Sequence, residues 1–383
     1  MRAAQALRDR VRPYAARAEP DPLRYAAARR ALAVAGIVRG IADVASVAFV
    51  LGDQVDRALR PLPRALRAPA FALVFFAADT VRELGSAYVE EHVTERVYGT
   101  SEMTAGAWIA DKAKAAALGA GVTVVLVMLG DAAVRAAPKR WPWIAIGALP
   151  PLLAFVTVIV PTFVMPLFNR YEPLQGELET AIRSLAARYG VGGAAILRFD
   201  MSRQTKKANA FVTGVLGTER IALADTLIDA FARDETLFVV AHELGHYVRR
   251  DPWLGIALTT ASLGGTILLA DAAVRRTTGR AVDGPAQGAR FAFYASLVQF
   301  AVMPLANAAS RAMEARADRF AVAATGDAAA GIRAFRRLGE QNLADFEPPR
   351  WAEVLFGSHP SLASRIRALD CARAHEGPST SSE

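Results

Sequence analysis

Five long apolar runs and one shorter one, most of them separated by basic segments, give the chain its pattern. Ala31 to Gly52, Ala115 to Val134, Trp143 to Phe168, Trp253 to Ala270 and Phe291 to Ala309 each approach the roughly 20 residues needed to cross a bilayer as a helix. A shorter run, Ala68 to Ala78, continues as an amphipathic pattern through Asp79, Arg82 and Glu83, and predicts a helix that emerges into solvent or a polar interior. Arg39 and Asp43 interrupt the first run, so they are expected to face protein or water instead of lipid. Pro150, Pro151, Pro161 and Pro166 are expected to bend the fourth. The pattern predicts six membrane helices, with a seventh left open.

Composition sharpens that picture. Of 383 residues, 53% are hydrophobic and the mean hydropathy is +0.22, high for a water-soluble enzyme. The net charge of +8 comes from arginines scattered between the apolar runs, which suits loops flanking membrane helices better than a nucleic-acid surface. The first 22 residues lack the apolar core of a secretory signal and read as a retained charged arm; the Ser/Thr/Gly-rich tail from Ala374 reads as disordered. A single cysteine, Cys371, excludes an intramolecular disulfide framework and a thiolate metal cluster, so any metal is held by histidine and carboxylate.

The polar stretch Asn169 to Asp251 separates the fourth and fifth runs. Its pattern predicts a small α+β unit: a helix around Glu177, strands in AAILRF and in the NAFVTG and RIALA segments, and a helix over Thr236 to Arg249 carrying His242-Glu243-Leu244-Gly245-His246. Residues four apart share a helix face, so His242 and His246 present two imidazoles to one ion, with Glu243 beside it as a base for an attacking water. The alternative is a helix with two surface histidines. A mid-helix glycine such as Gly245 costs stability unless something approaches the backbone closely, which favours the site.

A catalytic zinc takes three protein ligands, and Glu314 is the best third. It lies just past the sixth run in SRAMEARAD, where Asp318 shares its face at the spacing needed to hold the free ring nitrogen of a ligand histidine. Taken alone, Glu314 and Asp318 with Arg311 and Arg316 would read as a ladder of surface charges.

These motifs occur with others: ERVYGTS (Glu95 to Ser101), PLFNRYEPLQGELETAI (Pro166 to Ile182), KKANAFVTG (Lys206 to Gly214), RIALADTLI (Arg220 to Ile228) and HPSLASRI (His359 to Ile366). From Glu95 to Leu369 the chain resembles the integral-membrane zinc peptidases that include the type I CAAX prenyl proteases and related bacterial stress-response proteases, and PLFNRYEPL points to the prenyl-protease branch. The resemblance implies a mainly α-helical polytopic membrane protein, six or seven helices around a chamber, with a small α+β gluzincin-type peptidase domain. It implies one zinc ion on His242, His246 and Glu314, Glu243 as general base and Asp318 behind the ligands. It implies that the strand starting at Asn209 and Ala210 pairs with extended substrate, where a turn asparagine is the plainer reading. It also implies that His359 and Arg365 lie in the active site, His359 steadying the oxyanion, where a loop histidine capping a helix is the plainer reading.

The division expected is a membrane region over 1–168 and a peptidase domain over 169–383. The expected partners are a peptide or protein substrate, lipidated or not, and the lipid bilayer of a bacterial cytoplasmic membrane, with no nucleic acid; the oligomeric state stays open. Three functions are compatible: a CAAX-protease-like endopeptidase, a quality-control protease of broad specificity, and a non-catalytic zinc scaffold. Glu243 argues against the last, because a structural site needs no base.

Overall fold

The computed structural model describes residues 21–214 and 218–376. The charged N-terminal arm up to residue 20 and the tail from residue 377 lie outside the described residues, whereas 374–376, expected to be disordered, continue the last helix. Helix α1 (Pro22–Ser46) starts where the Asp21 carboxylate accepts the Leu23 N–H at 2.9 Å, and it runs through a π-helical turn at Val47–Leu51 into α2 (Gly52–Ala58). Helix α3 (Arg64–Ala87) passes through a second π-helical turn into α4 (Thr94–Val97). Two apolar helices follow, α5 (Ala105–Ala136) and α6 (Trp141–Ile159). Pro150 and Pro151 lie inside α6, whereas Pro161 and Pro166 fall in the π and 3-10 turns that end it.

Five helices among the described residues are long and apolar enough to cross a membrane: Pro22–Ala58, Ala105–Ala136, Trp141–Leu167, Asp251–Thr278 and Pro285–Thr325. They match five of the six expected spans. The sixth, from Ala68, forms α3, whose second half is too polar to count by composition. Its charges pair across to α1: Arg39 makes two 3.0 Å bonds to Glu83, and Arg82 reaches Asp43 as well as Asp79 of its own helix. Arg39 and Asp43 thus meet protein groups, as expected of charges that avoid lipid.

The peptidase unit holds a four-stranded sheet in the order β1-β2-β4-β3, with β1 at Tyr171–Pro173, β2 at Ala195–Phe199, β3 at Ala210–Thr213 and β4 at Arg220–Ala224. β2 and β4 are parallel, while β3 pairs antiparallel with β4 and forms an edge. β1 is not announced by the sequence, since three residues hold no alternation. Helix α7 (Glu177–Ala187) precedes β2; α8 (Asp225–Ala230) leads from β4 to α9 (Arg233–Val248). Ile196, Ile221 and Leu223 of the sheet share a core with Phe238, Val240 and Leu244 of α9, all at most 4% exposed. Each such side chain contributes about 1.5–3 kcal/mol on burial, so α9 is clamped to the sheet.

From α9 the chain re-enters the membrane as α10 (Asp251–Thr278) and returns as α11 (Pro285–Thr325), followed by α12 (Ala328–Gln341), α13 (Arg350–Phe356) and α14 (Leu362–Glu376). At 1.5 Å per residue α11 is about 60 Å long, enough to leave the bilayer and lie along α9. Glu95 ties the membrane helices to the peptidase unit. Its buried carboxylate takes the Tyr25 hydroxyl at 2.7 Å, the Thr100 hydroxyl and the Lys207 ammonium at 2.8 Å, two residues before Asn209.

Candidate active site

Helix α9 carries His242 and His246 one turn apart with their Nε2 atoms 3.3 Å from each other. Glu314 of α11 enters between them, Oε2 at 3.2 Å from His242 Nε2 and Oε1 at 3.4 Å from His246 Nε2. A tetrahedral ion with bonds of about 2.05 Å spaces its ligands about 3.3 Å apart. These three donors therefore already hold that spacing, and they form the His/Glu group able to bind a metal among the described residues. Glu314 Oε2 is buried and lacks a hydrogen-bond donor, as a ligand oxygen should.

Gly245 permits this approach. A Cβ there would meet the Phe320 ring of α11 at 3.0–3.2 Å, so the glycine lets α11 close onto α9 and bring Glu314 within reach.

Each imidazole is fixed from behind. His242 Nδ1 lies 2.8 Å from Asp318 Oδ1, which places the ring proton on Nδ1 and leaves the Nε2 lone pair toward Glu314. Asp251, the first residue of α10, does the same for His246 Nδ1 at 2.8 Å and is itself held by Arg316 at 3.0 Å. Asp251 escaped the sequence reading. It doubles back because Arg250 adopts a left-handed conformation (φ 59°), rare for a residue with a side chain, and no local pattern announces such a reversal.

The remaining expected residues divide into two sets. Arg365 is buried, grips Asp318 with a fork at 2.8 and 2.6 Å, and stacks 4.0 Å from the Phe335 ring centroid. It lies beside the candidate ligands, as the resemblance implies, and braces the Asp318–His242 pair from behind. His359 stands at that rim, its side chain 60% exposed, with Nε2 3.3 Å from Glu314 Oε1 and Nδ1 2.9 Å from Ser358 Oγ. Asn209 is exposed at the start of β3, its carbonyl accepting the Ala224 N–H at 2.9 Å; Ala210 opens the strand, which lies against α9.

The electrostatics favour a cation. Burial opposes charge on His242, yet the neighbouring carboxylates of Asp318 and Glu314 prevail and push it up to about 9. His246 is likewise raised: burial opposes charge, and the bonds to Glu314 and Asp251 outweigh it. Burial raises Glu243, whose carboxylate has no hydrogen bond or ion pair with the described residues and so remains available to a proton.

The profile of Peptidase family M48 matches residues 172–373, more than half the chain. The chain belongs to peptidase family M48. Residues 26–170 match a second profile, the CAAX prenyl protease N-terminal region with five membrane helices; among the described residues this M48 chain carries four long helical segments there, through α2, α4, α5 and α6. It is 30% identical over 281 residues to the "Uncharacterized metalloprotease YhfN" of Bacillus subtilis, covering 70% of this chain and 66% of that one. It is 28% identical over 316 residues to "CAAX prenyl protease 1" of Saccharomyces cerevisiae, covering 76% and 69%. The chain thus spans about two thirds of the length of these relatives. Its fold is similar to the crystal structure of S. mikatae Ste24p, with a TM-score of 0.76 and 25% identity over 83% of this chain and 80% of that one. Family and fold make it a multi-pass membrane protein of the M48 metallopeptidase family.

Proposed function

We propose that this chain is a zinc-dependent membrane endopeptidase of CAAX-prenyl-protease type, with a membrane region over 1–168 and the peptidase region over 169–383. The observation that carries the reading is the convergence of His242, His246 and Glu314 at tetrahedral spacing with an unpartnered Glu243 on the same helix. Those three residues would hold one zinc ion, the usual metal for a His2Glu set. Zinc, when bound, supplies a Lewis acid that acidifies a water and polarises the scissile carbonyl.

The chain's own groups do the rest. Glu243 takes the proton of the attacking water and passes it to the leaving amine, a role that needs the free carboxylate found there. His359, at the exposed rim, offers its Nε2 N–H to the oxyanion of the tetrahedral intermediate. Asp318 and Asp251 keep the Nδ1 protons in place, and Arg365 keeps Asp318 in place. The substrate adds as an extended strand to the free edge of β3 at Asn209 and Ala210, so main-chain hydrogen bonds set its register against α9.

The test is cleavage of matched farnesylated and unmodified CAAX peptides by the detergent-purified chain, with Glu243→Gln alongside and zinc measured on both. The expected result is preferential cleavage of the farnesylated peptide and a loss of about 10²–10⁴-fold in kcat in Glu243→Gln, with zinc retained. Equal cleavage of both peptides and of unfolded chains would instead assign a quality-control protease. Zinc bound with nothing cut would assign a scaffold.

A further inference from the structure

The end of the helical bundle remote from the zinc site carries a second polar cavity. There α2 ends at Ala58, α3 begins at Arg64, α5 ends at Ala136, and α10 and α11 meet between Thr278 and Pro285. These ends enclose about 410 Å³. The stretch of α11 from Pro285 to Glu314 spans roughly 40 Å, so the cavity opens at the bilayer face opposite the zinc site, at headgroup level.

Its lining is strongly cationic. Seven arginines and four aspartates surround it, which leaves a surplus of positive charge after pairing. Arg290 pairs with Asp53 at 2.8 Å, Arg135 with Asp131 at 2.9 Å and Arg280 with Asp283 at 3.1 Å. Arg67 donates to the carbonyls of Leu62 and Arg60, which shapes the turn between α2 and α3. Arg57, Arg60 and Arg64 have no side-chain partner among the described residues, and neither has the remaining carboxylate, Asp56.

Two observations point to a ligand there. The first turn of the 41-residue α11 forms one wall and has no side-chain cap, so the N–H groups of Ala286 and Gln287 lack intrahelical partners. Gln287 is 6% exposed, lines the same cavity, and its Oε1 meets no donor in the protein. A buried amide of that kind is normally satisfied by something bound.

We propose that this cavity binds a phosphate-bearing anion, supplied by the headgroup of an anionic phospholipid in the leaflet opposite the zinc site. Arg57, Arg60 and Arg64 with the α11 N-terminus hold the phosphate through charge-assisted hydrogen bonds. Gln287 Oε1 and Asp56 accept from headgroup hydroxyls. The acyl chains lie on the exposed apolar surface of the helices, which includes Val50, Leu66 and Leu129. The site is independent of the zinc centre and of the reaction proposed for it.

Native mass spectrometry of the full detergent-purified chain, titrated with phosphatidylglycerol or phosphatidylcholine, tests this. The expected result is one saturable phosphatidylglycerol retained by the wild type, little phosphatidylcholine, and binding at least tenfold weaker in Arg57→Gln/Arg64→Gln. Zinc content should be unchanged in that variant, because neither arginine has a partner in the fold, and Arg57→Lys/Arg64→Lys should restore most of the binding. Displacement of the lipid by millimolar inorganic phosphate would show that the phosphate alone is recognised, and no displacement would show that the lipid is the source; both keep the site. Equal retention of the two lipids, or a double glutamine variant that retains phosphatidylglycerol like the wild type, would overturn it.

Discussion

At the residue scale the candidate site is two imidazoles, each turned by a carboxylate so that its Nε2 faces Glu314. Asp318 and Asp251 stand at equal 2.8 Å distances from their histidines but in different settings. Asp318 is locked by the buried fork of Arg365, and Asp251 by the half-buried Arg316. Replacing either with Asn is expected to weaken zinc binding by about 10–100-fold, measured by chelator competition. Asp318→Asn should also lower the melting temperature more than Asp251→Asn, because it leaves the Arg365 guanidinium buried without its partner. Proton competition has a definite sign. His242 of the metal-free protein holds its proton up to about pH 9, and binding zinc must expel it. Apparent zinc affinity should therefore rise at least tenfold per pH unit below about 9, more steeply where His246, also raised, is protonated too, and flatten above. In Asp318→Asn, which loses the bond that raises His242, the plateau should begin at lower pH.

At the element scale the site depends on how closely α9 and α11 approach. The spacing of His242 and His246 is a property of α9 alone, but the position of Glu314 depends on Gly245 admitting Phe320. Gly245→Val is expected to force the helices apart at a cost of about 1–3 kcal/mol, read as a lower melting temperature and a substoichiometric zinc content. Trimming the opposing ring in Gly245→Val/Phe320→Leu should recover part of both. A second junction, the Lys207–Glu95 bond, fixes the start of β3 to the membrane helices. Lys207→Met should raise KM for peptide more than it lowers kcat if β3 is the edge that receives substrate, and steady-state kinetics on both parameters checks this.

At the scale of the whole molecule, large apolar side chains stand exposed along the spanning helices, among them Val122, Leu129, Phe155 and Phe163. In water that surface would be intolerable, so the protein should stay in the membrane pellet through alkaline carbonate extraction. The ends of the bundle then face two interfaces: one carries the candidate metal ligands and the edge strand β3, the other the arginine-lined cavity.

The sequence by itself determined what is local or periodic. Runs of about 20 apolar residues announce spans, and HELGH places two candidate ligands on one helix face with a carboxylate beside them, because both signals lie within a short stretch of chain. A third ligand 68 residues after His246 was reached by matching residue type to the chemistry still missing, and the structure brings Glu314 into contact with both histidines. Only the tertiary structure decided how these pieces meet. It showed that Asp251 returns to His246 through the reversal at Arg250, that Arg365 braces Asp318 from within while His359 stands exposed, and that α3, too polar to count as a span by composition, is tied to α1 by ion pairs. The physical reason is common to all three. Each contact joins groups whose separation depends on the packing of whole helices, and no short-range pattern in the chain encodes that distance.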